Sequence, residues 1–254
     1  MLTDLLSPAV LAFSFAVTLA GGFVKGAVGF AMPLIMVSGM SMVMEPRLAV
    51  AGLVIPTVAS NLLQVARAGR SEALAAARDF WLYILVACTM VFVVAQFLVQ
   101  ISAEAAYLAI GLPVFGLSVV QLIGWRPTVA PTSRAWADPA VGLVTGTIGG
   151  VAGNWGPPTV LYLLALGVGR TRQMAVQGVV YAMGAITLLA GHLRSGVLNA
   201  ETVPLSAILL VPAFLGMWAG FRFGDRLDPR RFRRWTLAVL LVAGLNLIRR
   251  GLLG

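Results

Sequence analysis

Charge is what this sequence has least of. Only 11% of its 254 residues are Asp, Glu, Lys or Arg and 59% are hydrophobic, against roughly 25% charged in an ordinary soluble domain. No stretch is long and polar enough to form a domain in water. Cysteine is almost absent as well. Cys88 stands alone inside an apolar run, which excludes a disulfide framework and a Cys-based metal site. His192 is the only histidine and Lys25 the only lysine. Missing too are a His-Glu-x-x-His zinc motif, a membrane-embedded Asp pair and a Gly-x-Ser-x-Gly nucleophile, so an intramembrane enzyme is disfavoured and no cofactor is implied. A Ser-Lys dyad from Ser60 and Lys25 would have to be assembled across two helices.

The net charge of +9 raises the question of nucleic acid. The arginines, however, sit in short patches at 67–78, 126–134, 170–172 and 222–234, between apolar segments. That is the pattern of a membrane topology signal and not of a soluble basic face, so no nucleic-acid partner is expected. Residues 1–8 carry Asp4 and no Lys or Arg, unlike the basic start of a cleaved signal, and read as mature sequence.

What is present is a duplication. Laid on itself at an offset of about 125 residues, the chain pairs Gly22, Gly26, Gly29 and Pro33 with Gly146, Gly150, Gly153 and Pro157. Arg47 pairs with Arg172, and Gln121-Leu122-Ile123 with Asn246-Leu247-Ile248, within a slip of one residue. Two copies of one unit are the simplest account.

Each copy opens with an apolar stretch too long for one span. Residues 8–44 would make a helix of about 55 Å against a hydrocarbon core of about 30 Å. Clustered glycines followed by proline place a break in the middle, and residues 138–168 repeat the device. Each pair is either a re-entrant hairpin or two short crossings. Three plainer spans follow each pair, at about 48–66, 80–100 and 104–123, then 174–192, 203–221 and 235–250. The expected organisation is an N-terminal repeat (1–124), a cytoplasmic linker (125–137) and a C-terminal repeat (138–254).

Arginine distribution separates the topologies. If each opening pair returns the chain to its starting side, Arg67, Arg70, Arg78, Arg126, Arg134, Arg170, Arg172 and the arginines of 222–234 gather on one face. The other face keeps Arg47, Arg194, Arg249 and Arg250, with Lys25 at mid-depth. If each opening stretch crossed only once, the two faces would be nearly balanced and no orientation specified. The first arrangement is preferred, with the 222–234 loop cytoplasmic and both termini outside. An odd number of net crossings per copy then inverts one copy relative to the other. The expected fold is an all-α polytopic membrane protein of two inverted repeats, each a broken helix pair followed by three transmembrane helices. Secondary transporters are built this way, with the site where the breaks meet.

Lys25 lies inside the first break, where a buried ammonium costs about 2.5–3.5 kcal/mol on insertion scales. An anionic substrate, helped by amides at the start of the resuming half-helix near Gly29, would offset that cost. The bland alternative is that Lys25 snorkels to an interface or pairs with carbonyls of the break. The second break, from Gly149 to Pro158, is uncharged but supplies the Asn154 amide, the Trp155 indole N–H and backbone amides as neutral donors for an oxyanion. Thr57, Ser60, Asn61 and Gln64 share one helix face, and Gln173, Gln177 and Tyr181 form a similar stripe in the second copy. The stripes line a substrate path or glue helices together at about 0.6 kcal/mol per hydrogen bond. His192, at the end of its span, is expected at an interface and is a weak candidate for proton coupling. No acidic residue is expected at the depth of Lys25.

The candidate substrate-binding set is therefore Lys25, Gly26, Gly29, Thr57, Ser60, Asn61, Gly153, Asn154, Trp155 and Gln177. Gly22, Pro33, Gly150 and Pro157 form the breaks, and no metal ligands are expected. The expected partners are a small anion and membrane lipid, with a coupling proton or cation and a homodimer left open.

The run Gly-Gly-Phe-Val-Lys-Gly-Ala-Val-Gly-Phe-Ala-Met-Pro at 21–33, echoed at 146–158, resembles the sulfite exporter TauE/SafE family, which includes toluene sulfonate uptake permeases. The resemblance implies a secondary carrier of sulfite or organosulfonates, working by alternating access in a bacterial inner membrane. It points to Lys25 with its glycines, and to Gly153, Asn154, Trp155 and Pro157. Direction and coupling ion stay open. A carrier of another anion such as a carboxylate, or an anion channel, are the rival readings.

Overall fold

The computed structural model describes residues 6–125, 128–153, 155–223 and 228–253. Among them every regular element is helical: α1 (Pro8–Val28), α2 (Met32–Met40), α3 (Pro46–Ala68), α4 (Arg70–Asp79), α5 (Trp81–Ala95), α6 (Ala103–Ile123), α7 (Arg134–Ala152), α8 (Gly156–Ala165), α9 (Arg170–Ser195), α10 (Val203–Ile208), α11 (Leu210–Phe223) and α12 (Pro229–Leu253), with a short 3₁₀ turn at Pro131–Ser133. Six stretches are long and apolar enough to cross a membrane, and a seventh arises if α4 and α5 count as one bent span. The chain is thus a multi-pass membrane protein.

The two breaks are built alike. Gly29 ends α1 at φ 87° and Gly153 ends α7 at φ 67°, in the left-handed region that glycine enters without strain. Their N–H groups donate back to the carbonyls of Lys25 and Gly149. Pro33 and Pro157 then open α2 and α8, where the missing proline N–H breaks no helical bond. After each break the chain doubles back. Val17 packs on Gly39 and Gly21 on Met32, which makes α1 and α2 antiparallel. In the second pair the Val129 N–H reaches the Ala165 carbonyl, so α8 ends beside the approach to α7.

Each broken pair is seamed to a helix of the other half. Gly22 and Gly26 of α1 meet Ala213 and Met217 of α11, and Gly216 and Gly220 meet Leu19 and Phe23 in return. Gly146 and Gly150 of α7 meet Ala87 and Val91 of α5. Lipid tails supply no hydrophobic drive for helix association, so close backbone approach at small residues takes its place. Gly111 and Gly244 bring α6 and α12 together similarly. The most enclosed helices, α3 and α9, run through the centre.

Pro56 would leave a defect in α3, since it has no N–H for the Gly52 carbonyl. Ser206 of α10 repairs it. Its hydroxyl donates to that carbonyl at 3.1 Å and accepts the Ile55 N–H at 3.0 Å. Ser206→Ala strands the buried Gly52 carbonyl, and a loss of about 1–3 kcal/mol is expected. A thermal melt in detergent checks this: an unchanged midpoint would show that the helix heals its own gap.

The connectors sort to two ends. At one, Arg172 pairs with Glu72 and Asp79, Arg134 binds the Asp79 carbonyl and lies over Phe80, and Arg67 lies over Phe221. Exposed Trp81, Trp125, Trp136 and Trp235 sit within a few residues of these arginine-rich segments. At the other end, Arg47 binds the Ile101 carbonyl, and Arg250 binds the Ser41 carbonyl and lies over Tyr107. Helix α4, which the sequence reading treats as plain connector, turns 82° from α5.

One expectation needs correction. His192 is fully buried inside the protein, because Val197 and Leu198 fold back over the end of α9 and the Leu198 N–H caps the His192 carbonyl. The sequence reading also passed over a buried acid far from the break: Asp138, one turn into α7, accepts the Tyr162 hydroxyl and pairs with Arg134 at 3.4 Å.

Candidate functional site

Lys25 lies in the last turn of α1, where the chain is about to break, and is 3% exposed. Its ammonium donates to the Asn61 side-chain oxygen on α3. The Asn61 amide nitrogen donates to the Tyr181 carbonyl on α9 at 3.0 Å, and the Tyr181 hydroxyl to the Gly156 carbonyl at 3.2 Å. One chain of hydrogen bonds therefore runs from the first break through both central helices to the second. Among the described residues no carboxylate pairs with Lys25, and only one of its three N–H donors has a protein acceptor.

The breaks meet around a cavity of about 10 Å³, the room of roughly one water. Its walls are Lys25, Phe30, Ala31, Pro33 and Leu34 from the first pair, Gly153, Trp155 and Gly156 from the second, and Asn61 and Tyr181 between them. Ala31 holds φ 78°, a conformation that costs a residue with a β-carbon about 1 kcal/mol or more. The strain sits in the wall facing the cation. The Trp155 ring fits a slot made by Gly149, Gly153 and Gly184; a β-carbon on Gly149 or Gly184 would crowd the ring, while Gly153 is kept by its φ of 67°.

Of the sequence candidates, Lys25, Asn61, Gly153 and Trp155 line this cavity, with Pro33 beside them. Gly29 shapes the break, while Gly22, Gly26 and Gly150 lie in the helix seams. Thr57, Ser60 and Gln177 are buried but are not among the lining residues. The Ser60 hydroxyl is spent on the Thr57 carbonyl. Asn154 lies outside the described residues. The second break is poorer in free amides than expected, because Pro157 and Pro158 have no N–H and the Thr159 N–H is used by the Trp155 carbonyl. At the first break the amides of Met32 and Leu34 open α2 and lack helical partners.

Tyr181, Phe30, Ala31, Leu34 and Gly156 are the wall residues that sequence reasoning did not assign to the site. Tyr181 was visible as the inner end of a polar stripe, whereas Phe30 and Leu34 carry no chemical signal. Among the described residues no group of His, Cys, Asp or Glu could hold a metal ion. A buried cation, a carboxamide and a helix start can bind a small anion through charge and shape.

A bundle of lipid-length apolar helices defines a polytopic membrane protein. The model of the sulfite exporter TauE/SafE family matches residues 14–247, and the chain belongs to that family of membrane transporters. No curated protein and no solved structure matches the chain significantly.

Proposed function

We propose that the protein is a secondary carrier of a small sulfur-containing anion, sulfite or an organosulfonate, across the bacterial inner membrane. The observation that carries this reading is the buried Lys25 ammonium at the meeting point of the two breaks, held by Asn61 and, among the described residues, without a carboxylate partner. An anion there would occupy the free donors of Lys25 and face the start of α2, with the Trp155 and Phe30 rings excluding water. Because the cavity holds roughly one water, a sulfite or sulfonate group fits only after the walls part, which suits a carrier that closes on both sides between loading and release.

Inverted repeats account for the packing. The seam of α1 with α11 matches that of α7 with α5, and α3 with α9 and α6 with α12 are each partnered by their own counterpart. The paired doubling-back at both breaks fits re-entrant hairpins, and the arginine-rich end with its tryptophans fits the cytoplasmic face. Alternating access then consists of the halves rocking about the Lys25 site.

A thermal-shift panel on the purified protein tests the substrate class. Sulfite and small sulfonates are expected to raise the melting midpoint, with carboxylates of the same size giving less. Equal stabilisation by acetate would move the reading to carboxylates, and single-channel currents in a planar bilayer would replace the carrier with a channel.

A further inference from the structure

Hydroxyls on membrane helices normally return to the carbonyl four residues back, and Ser14, Thr89, Ser118, Thr147, Thr187 and Thr236 all do so. Four fully buried ones do not. Thr18, Ser38, Ser41 and Thr57 have no hydrogen-bond partner among the described residues. A buried hydroxyl left unpaired costs about 1–3 kcal/mol, so four together are unlike chance leftovers of packing.

Their placement is one-sided. Thr57 stands one helical turn outward of Asn61, the residue that holds Lys25. Thr18 and Ser38 lie level with each other on the antiparallel α1 and α2, given the contacts of Val17 with Gly39 and of Gly21 with Met32. Ser41 follows, and its carbonyl holds Arg250 at the arginine-poor end. His192, with both ring nitrogens unpartnered, is buried toward that same end of α9.

Among the described residues the buried hydroxyls of the equivalent region of the second pair are bonded. Tyr162 binds Asp138, Tyr83 binds Thr145 and Thr159 at 3.1 and 2.8 Å, and Thr159 donates to the Trp155 carbonyl. The two breaks are alike in backbone and opposite in polar satisfaction.

We infer that the outward half of the transport path opens along the first hairpin, between α1–α2 and α3, with Thr57, Ser38, Thr18 and Ser41 as its wetted wall, while the second hairpin stays fixed by its hydrogen bonds. Opening hydrates hydroxyls that have no partner among the described residues of the closed form. That recovers their missing bonds and offsets part of the apolar surface exposed. The second hairpin has no such return, since parting it breaks bonds already made. The inference rests on the transport reading and on the arginine-poor end being outside.

Side-specific thiol labelling tests it, and Cys88 is the only native thiol to remove. In a Cys88→Ser protein, Thr18→Cys, Ser38→Cys and Ser41→Cys are made singly, with Ala200→Cys as an exposed control and Thr145→Cys as a control in the second hairpin. A membrane-impermeant charged thiol reagent is applied to each side of oriented vesicles. From outside, the first-hairpin thiols are expected to react about 10- to 1,000-fold more slowly than Ala200→Cys, the factor for an open state populated at 0.1–10%, while Thr145→Cys stays unmodified. First-hairpin thiols as silent as Thr145→Cys, or reactive only from the cytoplasmic side, would overturn the inference. Gel filtration screens each variant for folding, and any one of the three that folds suffices. Labelling needs no transported anion, so it stands or falls separately from the ligand panel.

Discussion

A Lys25→Ala protein is expected to lose the thermal shift given by sulfite or sulfonates, and with it transport, while its unliganded melting midpoint holds or rises. Two effects of opposite sign produce this pattern. Removing one member of a buried, hydrogen-bonded charge pair costs about 2–5 kcal/mol of binding, which is a loss of about 30-fold or more in affinity. The empty protein, in contrast, is relieved of an ammonium held out of water at about 2.5–3.5 kcal/mol. Against that relief stands only the Asn61 oxygen, left without its donor at about 1–3 kcal/mol. A lysine serving as structural glue would behave in reverse, lowering the unliganded midpoint and sparing the shift. Ligand titration by differential scanning on both proteins separates the two, and sulfite stabilisation surviving in Lys25→Ala would remove charge recognition from the mechanism.

Gly216→Ala is expected to leave little or no folded protein. An added β-carbon would lie 2.1 Å from the Leu19 carbonyl oxygen and 2.8 Å from the Phe23 nitrogen. Both are backbone atoms within a helix, so no side chain can swing aside. Helices α1 and α11 would have to separate by more than an ångström along their seam, forfeiting the contacts that hold the first hairpin. Gly146→Ala repeats the conflict, at 2.3 Å from the Ala87 carbonyl oxygen. Gly116→Ala is the matched control, with nothing within 4 Å of the new carbon. Yield of monodisperse protein on gel filtration is the readout, and a Gly216→Ala protein eluting like Gly116→Ala would show the seam to be looser than described.

The breaks were legible because glycine and proline act locally: a left-handed cap at Gly29 and a helix start at Pro33 need no distant partner to be recognised. Lys25 was legible for the same kind of reason, since a lone cation in an apolar run conflicts with its surroundings. Asp138 was not. It stands at the margin of the basic linker, and what buries it is Tyr162, 24 residues further on, with Arg134 one turn behind. Helix α4 was hidden because its arginines and acids read as an ordinary connector, while the partner they meet across its 82° bend from α5, Arg172 of α9, lies 93 and 100 residues further along the chain. Three-dimensional partnership also decided which polar residues entered the site. The stripe from Thr57 to Gln64 is one face in sequence, yet Asn61 alone of that stripe lines the cavity.

The glycine seams join each hairpin to a helix from the opposite half of the chain, with consequences for biosynthesis. The ribosome makes α1 first, but α11, the surface it must grip, is finished only at Phe223. At roughly 5–20 residues per second this leaves the lysine-bearing hairpin without its mate for about 10–40 s. During that interval a polar break and a charged side chain face lipid or the insertion machinery, so the cavity around Lys25 is among the last parts of the molecule to be completed.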